Sequence, residues 1–229
     1  MNKTVAVVQS NYIPWRGYFD LINSVDEFIL YDDMQFTKRD WRNRNTIKSR
    51  DGVIWLTIPV QVKGKYFQKI RETIVADHIW ESQHWQSIVH NYSRAKYFFE
   101  YKALFEELYS GSEDKLSQIN YRFITALCNI LGIITTISWS TNYDLTGDRT
   151  ERLVNLCKQT NATNYLSGPA AKAYLNEEAF VREGIAVSYM DYSGYPEYGQ
   201  LYPPFEPLVS IIDLILNEGR NATKYMKSF

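Results

Sequence analysis

The chain is short of most of the residues and motifs that announce a familiar chemistry. It has two cysteines, Cys128 and Cys157, each inside an apolar helical pattern, with no Cys-x-x-Cys and no Cys/His ligand spacing. A disulfide framework and a zinc centre are therefore not expected. Its three histidines, His78, His84 and His90, follow one another at six-residue intervals, which does not place two imidazoles on one helix face, so no metal is expected. The GxxxxGKS/T, GxGxxG and GxSxG fingerprints of phosphate loops, dinucleotide folds and hydrolase elbows are missing. No segment approaches the ~18 apolar residues of a membrane span, and Met1 to Val8 lacks the apolar stretch of a signal peptide. These absences predict a cytoplasmic chain without a membrane span. Charge of one sign is lacking too: 25 Lys and Arg against 26 Asp and Glu give a net charge of −1. That removes any global attraction to nucleic acid or to an anionic membrane, and no nucleic-acid partner is expected.

What the chain has in excess is aromatic side chains, 15% of its 229 residues, with 18 Tyr, 11 Phe and 6 Trp. Tyr and Trp join an apolar face to a polar tip, which suits a wet cleft as well as a core edge. Much of the excess falls in 12–18, 92–109 and 189–202; the first and last are read as cleft walls and the middle as core.

The hydrophobic pattern alternates strands and helices. Val5 to Val8 reads as a strand stopped by Gln9-Ser10-Asn11-Tyr12. Pro14 then opens a helix over Trp15 to Asn23, and Glu27 to Tyr31 returns as a second strand. Residues 35–52 are a polar stretch, and Val53 to Val62 forms one or two strands interrupted by Pro59. Residues 79–131 are helical, with Ser112 as a candidate cap and Gly132 as the stop. Strands at 133–139, 164–166 and 185–190 alternate with helices at 150–160, 170–174, 177–183 and 208–217. The expected fold class is α/β: a three-layer sheet with helices on both faces, one unit over 1–229 with a mostly helical insertion around 79–131.

In such sheets ligands bind beyond the carboxyl ends of the strands. The loop from Gln9 to Gly17, the segment from Asp32 to Lys48 and the turn Ser167-Gly168-Pro169 are therefore the candidate site regions. Asp32 and Asp33, just after an apolar strand, are candidates for a general base or a metal-bridging pair. Arg39, Trp41, Arg42, Asn43, Arg44 and Lys48 lie in a basic segment whose guanidinium forks suit a diphosphate. His90 is a candidate acid or base.

The segment Gln9-Ser10-Asn11-Tyr12-Ile13-Pro14-Trp15-Arg16-Gly17-Tyr18-Phe19-Asp20 resembles the QPNYxPWxGYF signature that opens the WbqC-like proteins. Further blocks look like that family's, in order: Tyr31-Asp32-Asp33-Met34-Gln35-Phe36, Trp41-Arg42-Asn43-Arg44-Asn45, Trp55-Leu56-Thr57-Ile58-Pro59-Val60, Asn91-Tyr92, Glu151-Arg152-Leu153 and Tyr165-Leu166-Ser167-Gly168-Pro169. The chain departs from the signature at Ser10, where members usually have Pro, and at Val8, where members often carry His. The resemblance implies a role in bacterial O-antigen or other surface-polysaccharide synthesis.

The activity it implies is N-acyl or aminoacyl transfer, glycyl included, to the amine of a nucleotide-linked amino sugar. The acyl donor or carrier would be ATP-, CoA- or carrier-dependent. Within that reading Asp32 or Asp33 removes the amine proton and Asn11 serves the oxyanion. Arg39, Arg42, Arg44 and Lys48 clamp the diphosphate, while Tyr12, Trp15, Tyr18 and Trp41 form stacking walls. Gln9, Gln35, Asn43, Ser167 and Gly168 complete the expected substrate contacts. Two alternatives stand beside it: a nucleotide-sugar glycosyltransferase using Asp32 and Asp33 with a divalent metal, and a non-catalytic module that binds a glycan or a partner.

Overall fold

A computed structural model describes residues 2–229. Five strands, β1 (Thr4–Val8), β2 (Glu27–Leu30), β5 (Thr136–Trp139), β6 (Asn164–Ser167) and β7 (Ala186–Tyr189), form one wholly parallel sheet in the order β5-β2-β1-β6-β7. A second, two-stranded antiparallel sheet pairs β3 (Arg44–Ser49) with β4 (Gly52–Thr57). The helices are α1 (Arg16–Asn23), α2 (Ile79–Tyr92), α3 (Phe98–Leu108), α4 (Leu116–Leu131), α5 (Arg149–Gln159), α6 (Glu177–Arg182) and α7 (Ile211–Glu218).

Period-two alternation along the central strands sorts the two faces of the sheet. Ala6, Phe28 and Leu30 pack into one apolar cluster with Phe19, Ile22, Phe123, Leu127, Ile212 and Ile215, from α1, α4 and α7. Their neighbours Val5, Val7 and Ile29 enter a separate cluster with Leu153, Leu156 and Cys157 of α5 and Phe180 of α6. Helices therefore cover both faces, as expected of a parallel sheet, and the three-layer α/β reading holds. The helical insertion is α2, α3 and α4, which spans 79–131 as expected.

The sheet order has a functional consequence. From β1 the chain winds outward through β2 to β5, then crosses back to lay β6 on the other side of β1. The connections leaving β1 and β6 thus diverge at their carboxyl ends, a topological switch point where a crevice opens.

Two expectations are corrected. The polar stretch 35–52 contains a strand, β3, almost wholly buried. Two of its polar side chains find internal partners: the Asn45 amide donates to the carbonyls of Tyr12 and Ile13, at 3.2 and 2.9 Å, and Lys48 Nζ donates to the Pro204 carbonyl at 2.7 Å. The third helix of the insertion starts at Leu116, after Lys115, and not at Ser112. The Thr73 carbonyl accepts from the Leu116 amide at 2.9 Å and Ile74 pairs with Lys115, which holds Lys115 extended.

Candidate functional site

The loop after β1 is built to be rigid. The Tyr12 amide donates to the Trp41 carbonyl at 3.0 Å, and the Ile211 amide donates to the Pro14 carbonyl at 2.9 Å. Ile13, a buried β-branched residue, sits at φ 37°, a strained conformation that these bonds and Asn45 over-determine. Ser10 is locked as well: its amide donates to Asp32 Oδ1 at 2.8 Å and its hydroxyl to Asp32 Oδ2 at 2.7 Å, while Asn120 Nδ2 donates to the Ser10 hydroxyl at 2.9 Å.

This loop ends at Trp15, the residue that precedes α1, and the indole lies back over the helix. A methyl group at Gly17 would come within 2.3 Å of the Trp15 ring, so only glycine admits this placement. Tyr192 and Tyr195 meet the indole edge-on, with ring centroids at 5.2 and 5.7 Å. Their loop is anchored by α1 itself. Asp20 accepts the Tyr195 hydroxyl at 2.6 Å and the Ser228 amide at 2.9 Å, and Arg16 donates to the Pro196 and Tyr225 carbonyls at 2.8 and 3.0 Å.

At the switch point these elements enclose a cleft of about 220 Å³. Gln9, Trp15 and Tyr18 from the β1 side face Ser167, Gly168 and Ala171 from the β6 side, with Tyr31, Met34, Tyr165, Tyr174 and Tyr192 as further walls. The exposed Arg149 stands at its edge with the guanidinium 3.7 Å from the centroid of the Tyr174 ring. Trp15 also borders a second, smaller cavity of about 150 Å³ with Asn11, Pro14, Trp41, Asn45 and Leu208.

The cleft brings together Gln9, Trp15, Tyr18, Ser167 and Gly168 of the residues expected from the sequence; Asn11 and Trp41 reach only the smaller cavity. Its lining is aromatic with hydroxyl, carboxamide and guanidinium groups, and among the described residues it includes no carboxylate, imidazole or thiol.

The remaining candidates are elsewhere, and their surroundings say why. Asp32 is buried with both oxygens spent on Ser10, so it pins the loop and does not line the cleft. Burial raises its pKa to about 6, against the lowering effect of the Ser10 bonds and Arg42. Asp33 is held by Arg71 Nε at 2.7 Å, Ser140 Oγ at 2.9 Å and Lys69 Nζ at 3.2 Å. Although burial opposes ionisation, these donors hold its pKa below the usual carboxylate value. The two carboxylates take different partners and do not converge, so they are not a metal-bridging pair.

Tyr12 is no stacking wall. It is fully buried, and its hydroxyl meets His84 Nδ1 and the Tyr109 hydroxyl, each at 2.9 Å. Burial depresses the His84 imidazole to about 4. His90, in contrast, is exposed on α2 and lines neither of these two cavities.

The basic segment divides among separate duties. Arg42 hydrogen-bonds the Asn11 carboxamide and lies 3.8 Å from Asp40, while the Arg44 guanidinium stacks 3.8 Å above the Trp55 ring. Asn43 Nδ2 donates to the Ile58 carbonyl at 2.8 Å, and Lys48 is committed to Pro204. Arg39, Asn43 and Arg44 border a shallow depression of about 230 Å³ beside Thr57 to Val60, and it shares no lining residue with the cleft. Gln35 is exposed and donates to the Tyr66 carbonyl at 2.8 Å.

Among the cleft residues not named individually as candidates from the sequence are Arg149, Tyr174 and Tyr192, the last within a segment already read as a cleft wall. A faint signal existed for each: Arg149 follows a Gly147-Asp148 helix start, Tyr174 closes the turn after β6, and Tyr192 opens the tyrosine-rich loop.

Comparison with known proteins extends over the same framework. The family model described as the WbqC-like protein family matches residues 9–225. The chain is also similar to Uncharacterized protein Rv1507c of Mycobacterium tuberculosis, at 51% identity over 226 residues, covering 98% of each chain. No solved structure matches.

Proposed function

Because the chain belongs to the WbqC-like protein family, we propose that it transfers an acyl or aminoacyl group to the amine of a nucleotide-linked amino sugar of surface-polysaccharide synthesis, with the switch-point cleft as its binding site. The observation that carries this reading is the meeting, between β1 and β6, of an aromatic-walled crevice with Gln9, Ser167 and the exposed Arg149. Aromatic faces take a sugar ring or a base. A guanidinium already oriented on Tyr174 is preorganised for a bidentate grip on a diphosphate. The Gln9 carboxamide and Ser167 hydroxyl are among the neutral donors that could serve an oxyanion.

The lining offers no side-chain base, which constrains the chemistry. The sugar nitrogen attacks the acyl carbon of a donor that is already activated, the new C–N bond forms, and the bond to thiolate or to adenylate phosphate breaks. The amine proton leaves on that departing group or in solvent, so the protein's part is to bind and align the two substrates. The same absence of a base favours one second reading, a module that holds the nucleotide sugar without turnover. The glycosyltransferase alternative is not carried forward, since Asp32 and Asp33 bind different protein donors.

The test is to incubate the purified chain with nucleotide amino sugars and with preformed thioester or acyl-adenylate donors. Free thiol or AMP should appear only when an amino sugar is present, together with a sugar whose mass has grown by the acyl group. Binding without either product supports the module, and neither binding nor product refutes both.

A further inference from the structure

The net charge of −1 hides a cluster of cations that make no ion pair. Lys38, Arg39, Lys63 and Lys65 are all exposed, and among the described residues none lies within 4.0 Å of a carboxylate. The nearest acid in sequence, Asp40, already accepts from Thr37 Oγ1 at 2.6 Å and from the Trp41 amide at 2.7 Å.

Beside these cations the segment 62–69 presents two aromatic rings to solvent, Tyr66 at 76% exposure and Phe67 at 81%. The rings meet edge to face at 4.9 Å. The two segments form one surface: the Phe36 amide donates to the Gln68 carbonyl at 2.9 Å and Gln35 Nε2 to the Tyr66 carbonyl at 2.8 Å. Between them Lys38, Lys65 and Tyr66 border an open cavity of about 600 Å³.

Adjacent Tyr and Phe rings, with unpaired cations around them, match what an anionic bilayer surface accepts. Rings enter the headgroup and acyl boundary, and Lys and Arg remain at the phosphates. We propose that residues 35–39 and 62–69 form a peripheral attachment surface for a bilayer carrying anionic lipid. Nucleic acid fits less well, because Tyr66 and Phe67 are spent on each other and leave no paired flat platform for successive bases. This inference does not rest on the transfer reaction or on the cleft.

The test is co-sedimentation of the full chain with vesicles of phosphatidylcholine alone and of an equimolar mixture with phosphatidylglycerol. The protein should sediment with the mixed vesicles only, and less as salt rises. Replacing Lys63→Gln and Lys65→Gln should lower the partition coefficient roughly fivefold for each charge removed. Tyr66→Ser with Phe67→Ser should lower it about tenfold or more. These side chains are exposed, so both variants should keep the parent's unfolding temperature. Equal sedimentation on both vesicle types, or variants that bind like the parent, would overturn the proposal. So would release by inorganic phosphate with no effect of the aromatic variant, which is anion capture, or tighter binding to a single-stranded RNA than to the mixed vesicles.

Discussion

Replacing Asp32→Asn separates a structural carboxylate from a catalytic one. In the native chain Asp32 is buried and its pKa stands at about 6, against 3.8 for an ordinary aspartate. A carboxyl whose pKa is raised on folding is most favourable below the unfolded value, and its contribution is lost as pH climbs through the folded one. A difference of about two pKa units at about 1.4 kcal/mol each makes ionised Asp32 cost about 3 kcal/mol at pH 7. His84 runs the other way. Its imidazole falls from 6.5 to about 4 in the fold, so its neutral burial costs nothing at pH 7 and about 3 kcal/mol by pH 4. The two costs cover nearly the same pH interval with opposite slopes, and in the native chain they largely cancel.

An asparagine keeps a carbonyl oxygen for the Ser10 amide and can turn its own amide toward the Ser10 hydroxyl, so the loop stays pinned without a buried charge. Urea unfolding between pH 4 and 7.5 should show the variant more stable than the parent at pH 7.5, by up to about 3 kcal/mol. The advantage should shrink to nothing at pH 4, leaving the variant with a profile that rises with pH because His84 is no longer offset. A variant less stable than its parent at pH 7.5, or a stability difference that does not change with pH, would refute the reasoning.

Two other substitutions probe the site and its support. Gly17→Ala drives a methyl group into the Trp15 indole; the ring must leave the cleft wall, and affinity for a nucleotide sugar should fall about tenfold by calorimetry while stability changes by less than ~2 kcal/mol. Tyr12→Phe removes the hydroxyl shared by His84 and Tyr109, which should cost about 1–3 kcal/mol in denaturant unfolding, with ligand affinity unchanged because Tyr12 lies outside the cleft.

The sheet was legible because its cause is local. Val5 to Val8 and Phe28 to Leu30 are apolar runs whose alternation serves both faces, and the turn residues after them mark where the strands stop. The loop after β1 and the turn after β6 were legible as candidate regions for a related reason, since strand ends are where chain polarity opens crevices, and both line the cleft. What could not be read was which polar residues face inward. Asn43, Asn45 and Lys48 look like a solvated or ligand-binding stretch, yet their partners are carbonyls up to 156 residues away. Asp32 and Asp33 are adjacent in sequence, but one faces Ser10 and the other Lys69, Arg71 and Ser140. Pairings at such separation are set by packing and leave no periodic trace. Arg149 escaped notice for a related reason: its helix start reads as an ordinary cap, and only the crossing back from β5 to β6 carries it to the cleft.

The central claim is that the cleft between β1 and β6, and not the basic segment after β2, holds the nucleotide-linked sugar. Calorimetric titration of nucleotide amino sugars into the parent chain, Arg149→Ala and Arg44→Ala tests it directly. Arg149 stands on the cleft with its guanidinium over Tyr174, whereas Arg44 is stacked on Trp55 outside it. Loss of a charge-assisted contact of about 1.5–3 kcal/mol predicts an affinity at least about tenfold weaker for Arg149→Ala and unchanged for Arg44→Ala. The reverse pattern, with Arg44→Ala weakened and Arg149→Ala intact, would contradict the assignment of the site.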